Sequence, residues 1–482
     1  MSKLARLPIL WFALCLLAAR PAGGYSLLTH EQLIDLTWDA SIVPLLKSRY
    51  PTLTAAQLEH ARAYAYGGCV IQDIGYYPFG DDFFSNLTHY VRSGDFVVSL
   101  FRNAGNADEL AFAVGALSHY IGDNIGHVSA TNLAVPIEFP KLARRYGPTV
   151  NYAQGASQHV RTEFAFDINE ISHRHLAPAH YLSHVGLQVP QRQLELAFYQ
   201  TYGLAEDFTK GRGRRVNVKA YRFAVRSFIP RIAFATNLLH RHQEPPLVDS
   251  PELQRLTTEI AAVAAKNDWD AYRKKAGIGT YSLAGLLYIL PKVGPIKFVS
   301  VKGPTVDTDR EYIRSVLRST DALNFTLRRF TPPPATAAAV SEAAAKDRSS
   351  QPPASDPLHA RPGSAQAIPR GTSDPRHPLP NRDLDTGSVV RPSGYPLTDA
   401  TYCQLAHRLA AKPTQAIPPV IKDDILAYYA DLSLPFATKS HPSSWHTLQA
   451  DLTTLRNMPT SNEPLPYPTY GPEGDTAESP AQ

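Results

Sequence analysis

His119, Asp123 and His127 recur at four-residue intervals in the run SHYIGDNIGH. If that run is helical, each step of four turns the side chain only about 40° around the axis, so all three project from nearly one face. Imidazole nitrogen and carboxylate oxygen are the donors zinc takes where thiolates are absent. A His-x3-His pair alone says little; an aspartate between the two on the same face says more. His159 and Glu163 repeat the i, i+4 arrangement downstream, while Asp73, His89 and His30 lie upstream. Taken singly, each fits better as a surface or satisfied core residue than as a ligand. Together, in one third of the chain, they point to a multinuclear metal site. Tyr76, Tyr77, Phe79, Phe83 and Phe84 fall between Asp73 and His89, where they would either line a cleft or pack in a core.

Such side chains need rigid elements to hold them. Residues 57–66, 108–127 and 191–202 carry apolar residues at three- and four-residue spacing, as do 251–264 and 310–317, and alternating strand-like runs are scarce. The expectation is an all-α protein. Residues 283–290 form an apolar run too short to span a bilayer and are expected to be a buried helix, with membrane-surface contact as the other reading. Lys210, Arg212, Arg214 and Arg215 cluster around glycines and are expected to form a solvated loop, although such a loop could also hold a phosphate.

The ends and the middle have a different character. Lys3 and Arg6 precede an apolar stretch over 9–19, and Ala22-Gly23-Gly24 follows; this is the form of a secretory signal cut after Gly24. It predicts Tyr25 as the mature N-terminus and a secreted or periplasmic location, an uncleaved anchor being the alternative. Loss of Lys3, Arg6 and Arg20 lowers the formal charge from +5 to +2, which weakens any electrostatic case for nucleic acid. Proline, 41 of 482 residues, is concentrated after Thr331. Residues 331–396 are expected to be a disordered Pro/Ala-rich linker, 397–460 a short helical element and 461–482 a disordered tail. Cys69 and Cys403 survive signal removal; they could pair, but nothing in the sequence requires it.

The order His30, Asp73, His89, His119-x3-Asp123-x3-His127, His159-x3-Glu163 resembles the zinc-dependent phospholipase C family and the related three-zinc single-strand nucleases. The resemblance covers about residues 25–245. It implies an all-α secreted enzyme with three zinc ions at the bottom of a cleft that cleaves phosphodiesters. Carried over, Asp73, His89, His119 and Asp123 would hold the first ion, and His127, His159 and Glu163 the second. Asp123 would bridge to a third ion completed by His30 and by the amine and carbonyl of Tyr25. Asp73 would also orient or deprotonate the attacking water. The four-residue step from Asp123 to His127 is shorter than in the bacterial phospholipases and the nucleases. It resembles the phospholipase D that acts on glycosylphosphatidylinositol anchors, and it keeps His127 on the continuing helix.

The sequence therefore reads as a signal (1–24), a helical hydrolase domain (25–330), a linker, and a helical C-terminal element. The expected activity is phospholipase C cleavage of phospholipid to diacylglycerol and phosphorylated headgroup, with transient membrane contact and no protein partner. The alternatives are a single-strand nuclease of the same fold and a non-catalytic exported metal-binding protein.

Overall fold

Helix α1 (Leu27–Thr37) has no cap of its own: the Ser26 side chain makes no capping bond. Asp167, 138 residues away, takes that role by accepting from the Leu28 and Thr29 amides at 3.0 and 3.1 Å and from the Thr29 hydroxyl at 2.7 Å. A carboxylate there satisfies amides that a helix start leaves orphaned, and it sits at the positive end of the dipole. This bond set ties the first helix to the interior. The computed structural model describes residues 26–76, 80–206, 208, 218–240, 249–289, 303–330 and 378–462.

After α1 come α2 (Ala55–Gly68), α3 (Asp82–Tyr90), α4 (Ser93–Arg102), α5 (Ala107–Gly126), α6 (Tyr152–Ser172) and α7 (Gln191–Tyr202). Then follow α8 (Ile278–Ile289), α9 (Val306–Phe330), α10 (Pro396–Ala410), α11 (Pro419–Tyr428) and α12 (Pro442–Asn457). Shorter helical segments join them. Among the described residues β-structure is limited to two isolated bridges, so the all-α expectation holds.

Helix α5 is the axis of the molecule. Asn106 caps it, accepting from the Glu109 amide at 2.9 Å, and Asp108 and Glu109 place negative charge in the first turn. From Ala111 to Gly126 every residue is buried. A helix buried all round needs neighbours on every side, and α1, α2, α4 and α9 supply them. The approach of α2 is very close. A Cβ on Gly68 would lie 2.0 Å from the Phe112 carbonyl oxygen, and one on Gly115 would lie 2.2 Å from that of Ala65. Only glycine permits backbones to meet at that separation.

Three expectations are corrected or narrowed. The apolar run at 283–290 is not a buried helix: in α8 only Ala284 and Leu287 are buried, while Ile278, Tyr281, Tyr288 and Ile289 are exposed. No helix among the described residues is long and apolar enough to cross a membrane. Cys69 and Cys403 are free thiols. Of the expected linker, 331–377 lies outside the described residues, but 378–396 is a strap packed on the N-terminal half. Leu384 and Asp385 are wholly buried, and Gly94 makes room for the strap, since a Cβ there would lie 2.6 Å from the Leu379 and Pro380 oxygens. The composition misled because backbone hydrogen bonding holds this strap, where apolar burial was the criterion for order. The signal segment and Tyr25, Tyr77 and Phe79, the basic cluster at 210–215 and the tail from 463 also lie outside the described residues.

The C-terminal helices dock on the same body. Helix α10 packs on α3, with the Arg408 guanidinium 4.0 Å above the Phe83 ring, and Leu409 and Ile421 approach Gly203.

Candidate metal centre

The residues singled out by spacing converge. His30 comes from α1 and Asp73 from the 3-10 turn Ile71–Gly75. His89 ends α3, His119 and Asp123 lie in α5, and His159 and Glu163 lie in α6. His127 opens a π-helical turn, His127–Thr131, that continues the column of α5, as the short spacing predicts. Such π-turns are frequent at functional sites. Three buried groups result, in each of which one donor atom per residue lies within 4.8 Å of the others: His30, His119 and Asp123; Asp73, His89 and His119; His127, His159 and Glu163.

Asp123 joins the first two groups. Its Oδ1 lies 3.3 Å from His30 Nε2, and its Oδ2 lies 3.2 Å from His119 Nε2 and 3.4 Å from His89 Nε2. Asp73 Oδ1 closes the second group at 3.4 Å from His89 and 4.0 Å from His119. The His30 and His119 rings stack at 4.1 Å. In the third group His159 Nδ1 is 3.7 Å from Glu163 Oε1.

Outer hydrogen bonds aim the rings. His89 Nδ1 pairs with the Ser85 carbonyl at 2.7 Å, His119 Nδ1 with that of Cys69 at 2.9 Å, and His159 Nε2 with that of Val150 at 2.6 Å. A carbonyl can only accept, so each outer nitrogen carries a proton and the inner nitrogen of each ring is the one turned toward the carboxylates. The glycine contact between α2 and α5 is what brings the Cys69 carbonyl within reach of His119.

Burial works against charge throughout; it prevails at His30, which burial and His119 push down, while the carboxylates overcome it at His89 and His119. The facing carboxylates of Asp123 and Asp73 lift His89 to about 10, and Asp123 also raises His119. Against its own desolvation, Asp123 is held well below the usual carboxylate range by His119. This corner of the protein favours positive charge. Desolvation pushes His127 down to about 4, and desolvation and His127 together take His159 to about 3. Both rings are therefore neutral near pH 7, the form that donates to a metal. Among the described residues neither His127 ring nitrogen makes a hydrogen bond, nor does His159 Nδ1 or Asp73 Oδ1. Buried polar atoms without partners are costly. All-nitrogen-and-oxygen donor sets with lone pairs turned inward fit zinc.

One buried acid beside the site was not singled out. Asp385, on the strap, has its Oδ1 3.7 Å from His127 Nε2. Its Oδ2 accepts from the Tyr395 hydroxyl at 2.6 Å and from the Tyr90 hydroxyl at 3.0 Å. Burial raises its pKa to about 7. The available signal was the run Asp383-Leu384-Asp385-Thr386-Gly387, in which an acid and a glycine mark a tight turn; Gly387 has φ +67°. The aromatics between Asp73 and His89 divide: Phe83 and Phe84 are core residues, with Phe84 stacked on Phe198 at 5.0 Å, while Tyr76 packs beside His89 at 5.5 Å.

With the geometry in place, comparison adds that residues 29–206 match the family described as zinc dependent phospholipase C. No curated protein and no solved structure matches the chain.

Proposed function

Residues 29–206 match the zinc-dependent phospholipase C family, and from that premise we propose that the protein is an exported phospholipase C holding three zinc ions. Asp73, His89, His119 and Asp123 hold the first ion. His127, His159 and Glu163 hold the second. His30 and Asp123 share the third with the amine and carbonyl of Tyr25, freed by cleavage after Gly24. The observation that carries this reading is the carboxylate of Asp123, with one oxygen turned to His30 and the other to His89 and His119.

Bound zinc would neutralise charge on the phosphodiester oxygens and acidify a water towards a pKa of about 7. Asp73 is the residue that would orient the attacking water and accept its proton. The water oxygen bonds to phosphorus, the bond from phosphorus to the glycerol oxygen breaks, and a proton passes to the leaving alkoxide. The products are diacylglycerol and the phosphorylated headgroup. The exposed face of α8, with Ile278 87%, Tyr288 76% and Ile289 80% exposed, supports contact with the lipid surface that carries the substrate.

Metal analysis of the mature protein, paired with headgroup release from phosphatidylcholine vesicles, tests this. Three zinc ions per chain and release of phosphocholine are expected, with Tyr25 as the first residue on N-terminal sequencing. An Ile278→Asp/Tyr288→Asp variant should lose turnover on vesicles but keep it on a soluble short-chain substrate. Zinc binding with cleavage of single-stranded DNA and no headgroup release would replace this reading with the nuclease. Absence of zinc would overturn it.

A further inference from the structure

The strap reaches the metal centre from more than two hundred residues downstream and is held there at many points. The Leu384 amide donates to the His89 carbonyl at 3.1 Å, and the Ser93 hydroxyl donates to the Arg382 carbonyl at 2.6 Å. Tyr120 donates to the Pro380 carbonyl at 2.7 Å, and the Asn132 side chain donates to that of Asp385 at 2.8 Å. These anchors lie on α3, α4 and α5 and just beyond the π-turn that carries His127. Between them the turn at 383–388 is closed by Asp383, whose side chain accepts from the Thr386 amide and hydroxyl at 2.8 and 2.6 Å. The turn delivers one side chain, Asp385, to the centre.

The two oxygens of Asp385 are treated differently. Oδ2 is occupied by two tyrosine hydroxyls, and the Tyr395 hydroxyl also accepts from the Ala153 amide at 3.1 Å, so the network is braced against α6. Oδ1 is completely buried, makes no hydrogen bond among the described residues, and faces His127 Nε2 at 3.7 Å. Those ring nitrogens also have no hydrogen bond. Two buried donor atoms that face each other without a hydrogen bond are an arrangement a cation stabilises. Two donors on one tetrahedral zinc, each about 2.0–2.1 Å from it, stand roughly 3.4 Å apart, close to the separation seen.

Resting on the zinc reading above, we propose that Asp385 is a fourth protein ligand of the ion held by His127, His159 and Glu163, supplied in cis by the C-terminal strap. A catalytic zinc with three protein ligands keeps its remaining position for water or substrate. With Asp385 in that position the ion is closed, and the strap has to withdraw before a phosphate oxygen can reach it. Zinc at this position and docking of the strap therefore stabilise each other.

The test uses the full-length protein and zinc alone. Zinc affinity is measured by competition with a chelator in the wild type, in Asp385→Asn and in Tyr395→Phe. Hydrogen exchange of the Leu384 and Gly387 amides is followed with and without zinc. Asparagine keeps the shape and an oxygen for the tyrosines; Tyr395→Phe loosens the strap but leaves Oδ1 in place. In the wild type zinc should slow exchange in the strap. Asp385→Asn should weaken one ion by at least about 10–100-fold, the loss typical even of an outer partner, and should abolish the slowing, while Tyr395→Phe stays within a few-fold of wild type. Equal affinities in wild type and Asp385→Asn, zinc-independent exchange, or an equal loss in Tyr395→Phe would each overturn the proposal and leave Asp385 as a packing residue of the strap. A wild type that binds no zinc would instead remove the functional reading itself.

Discussion

Asp123 is the residue on which the centre turns, because a single side chain serves two donor groups through its two oxygens. Asp123→Asn keeps the volume and removes the charge. The variant should lose at least one zinc and fall in activity by at least about 10–100-fold, read by metal analysis and headgroup release. Full occupancy with normal turnover would take Asp123 out of the centre. At this scale the sequence was informative wherever helical periodicity links the partners. His119, Asp123 and His127 share a face by arithmetic, and so do His159 and Glu163. That α3 would bring His89 to the same point was not readable from spacing, and rested on the resemblance. Asp385 offered only a turn signal for a physical reason: it lies on no regular element, and the contacts that aim it are hydrogen bonds to the strap backbone made across the fold.

Among the elements, the periodic helices were legible and their surroundings were not. Apolar content placed α8 in the core, but content cannot distinguish a helix packed on all sides from one packed on a single edge. The π-turn at His127–Thr131 has no sequence signature comparable to a cap. The end of α6 carries a testable charge pair. His175 Nδ1 lies 3.2 Å from Glu170 Oε2, both are buried, and Gln32 of α1 joins the same carboxylate at 3.3 Å. Despite opposing desolvation, Glu170 raises His175 and His175 lowers Glu170. The raised histidine stabilises the fold fully below its unfolded pKa of about 6.5, and this is lost as pH rises through the folded value. The lowered glutamate does so above about 4.3, and this is lost as pH falls through its folded value. The pair is therefore at full strength between about pH 4.3 and 6.5. His175→Leu, which strands a buried carboxylate, should cost about 3–5 kcal/mol in that window, shrinking on either side, in denaturant melts from pH 3 to 9. A pH-independent loss would mean that packing alone is at stake.

For the whole molecule, composition carried the expected linker on to residue 396, whereas the chain from 378 is already packed as the strap, ordered by what it binds. If a specific protease site is introduced within 331–377 and cut, the two pieces should stay together on gel filtration. The strap hydrogen bonds, the α3–α10 contact and the Arg408–Phe83 stack all remain. Separation of the pieces would show that the covalent connection, and not the interface, holds them. The strap also sets an order of events during synthesis. Glu163 is the last of the clustered donor residues in the N-terminal half, but Asp385 leaves the ribosome 222 residues later, roughly 10–40 s at ordinary elongation rates of about 5–20 residues per second. For that interval the nascent chain carries every histidine of the centre without the segment that lies against it. The finished state of the site is thus reached only after translation has run most of its course, and a chain stopped before the strap would expose a different coordination surface from the one the complete protein presents.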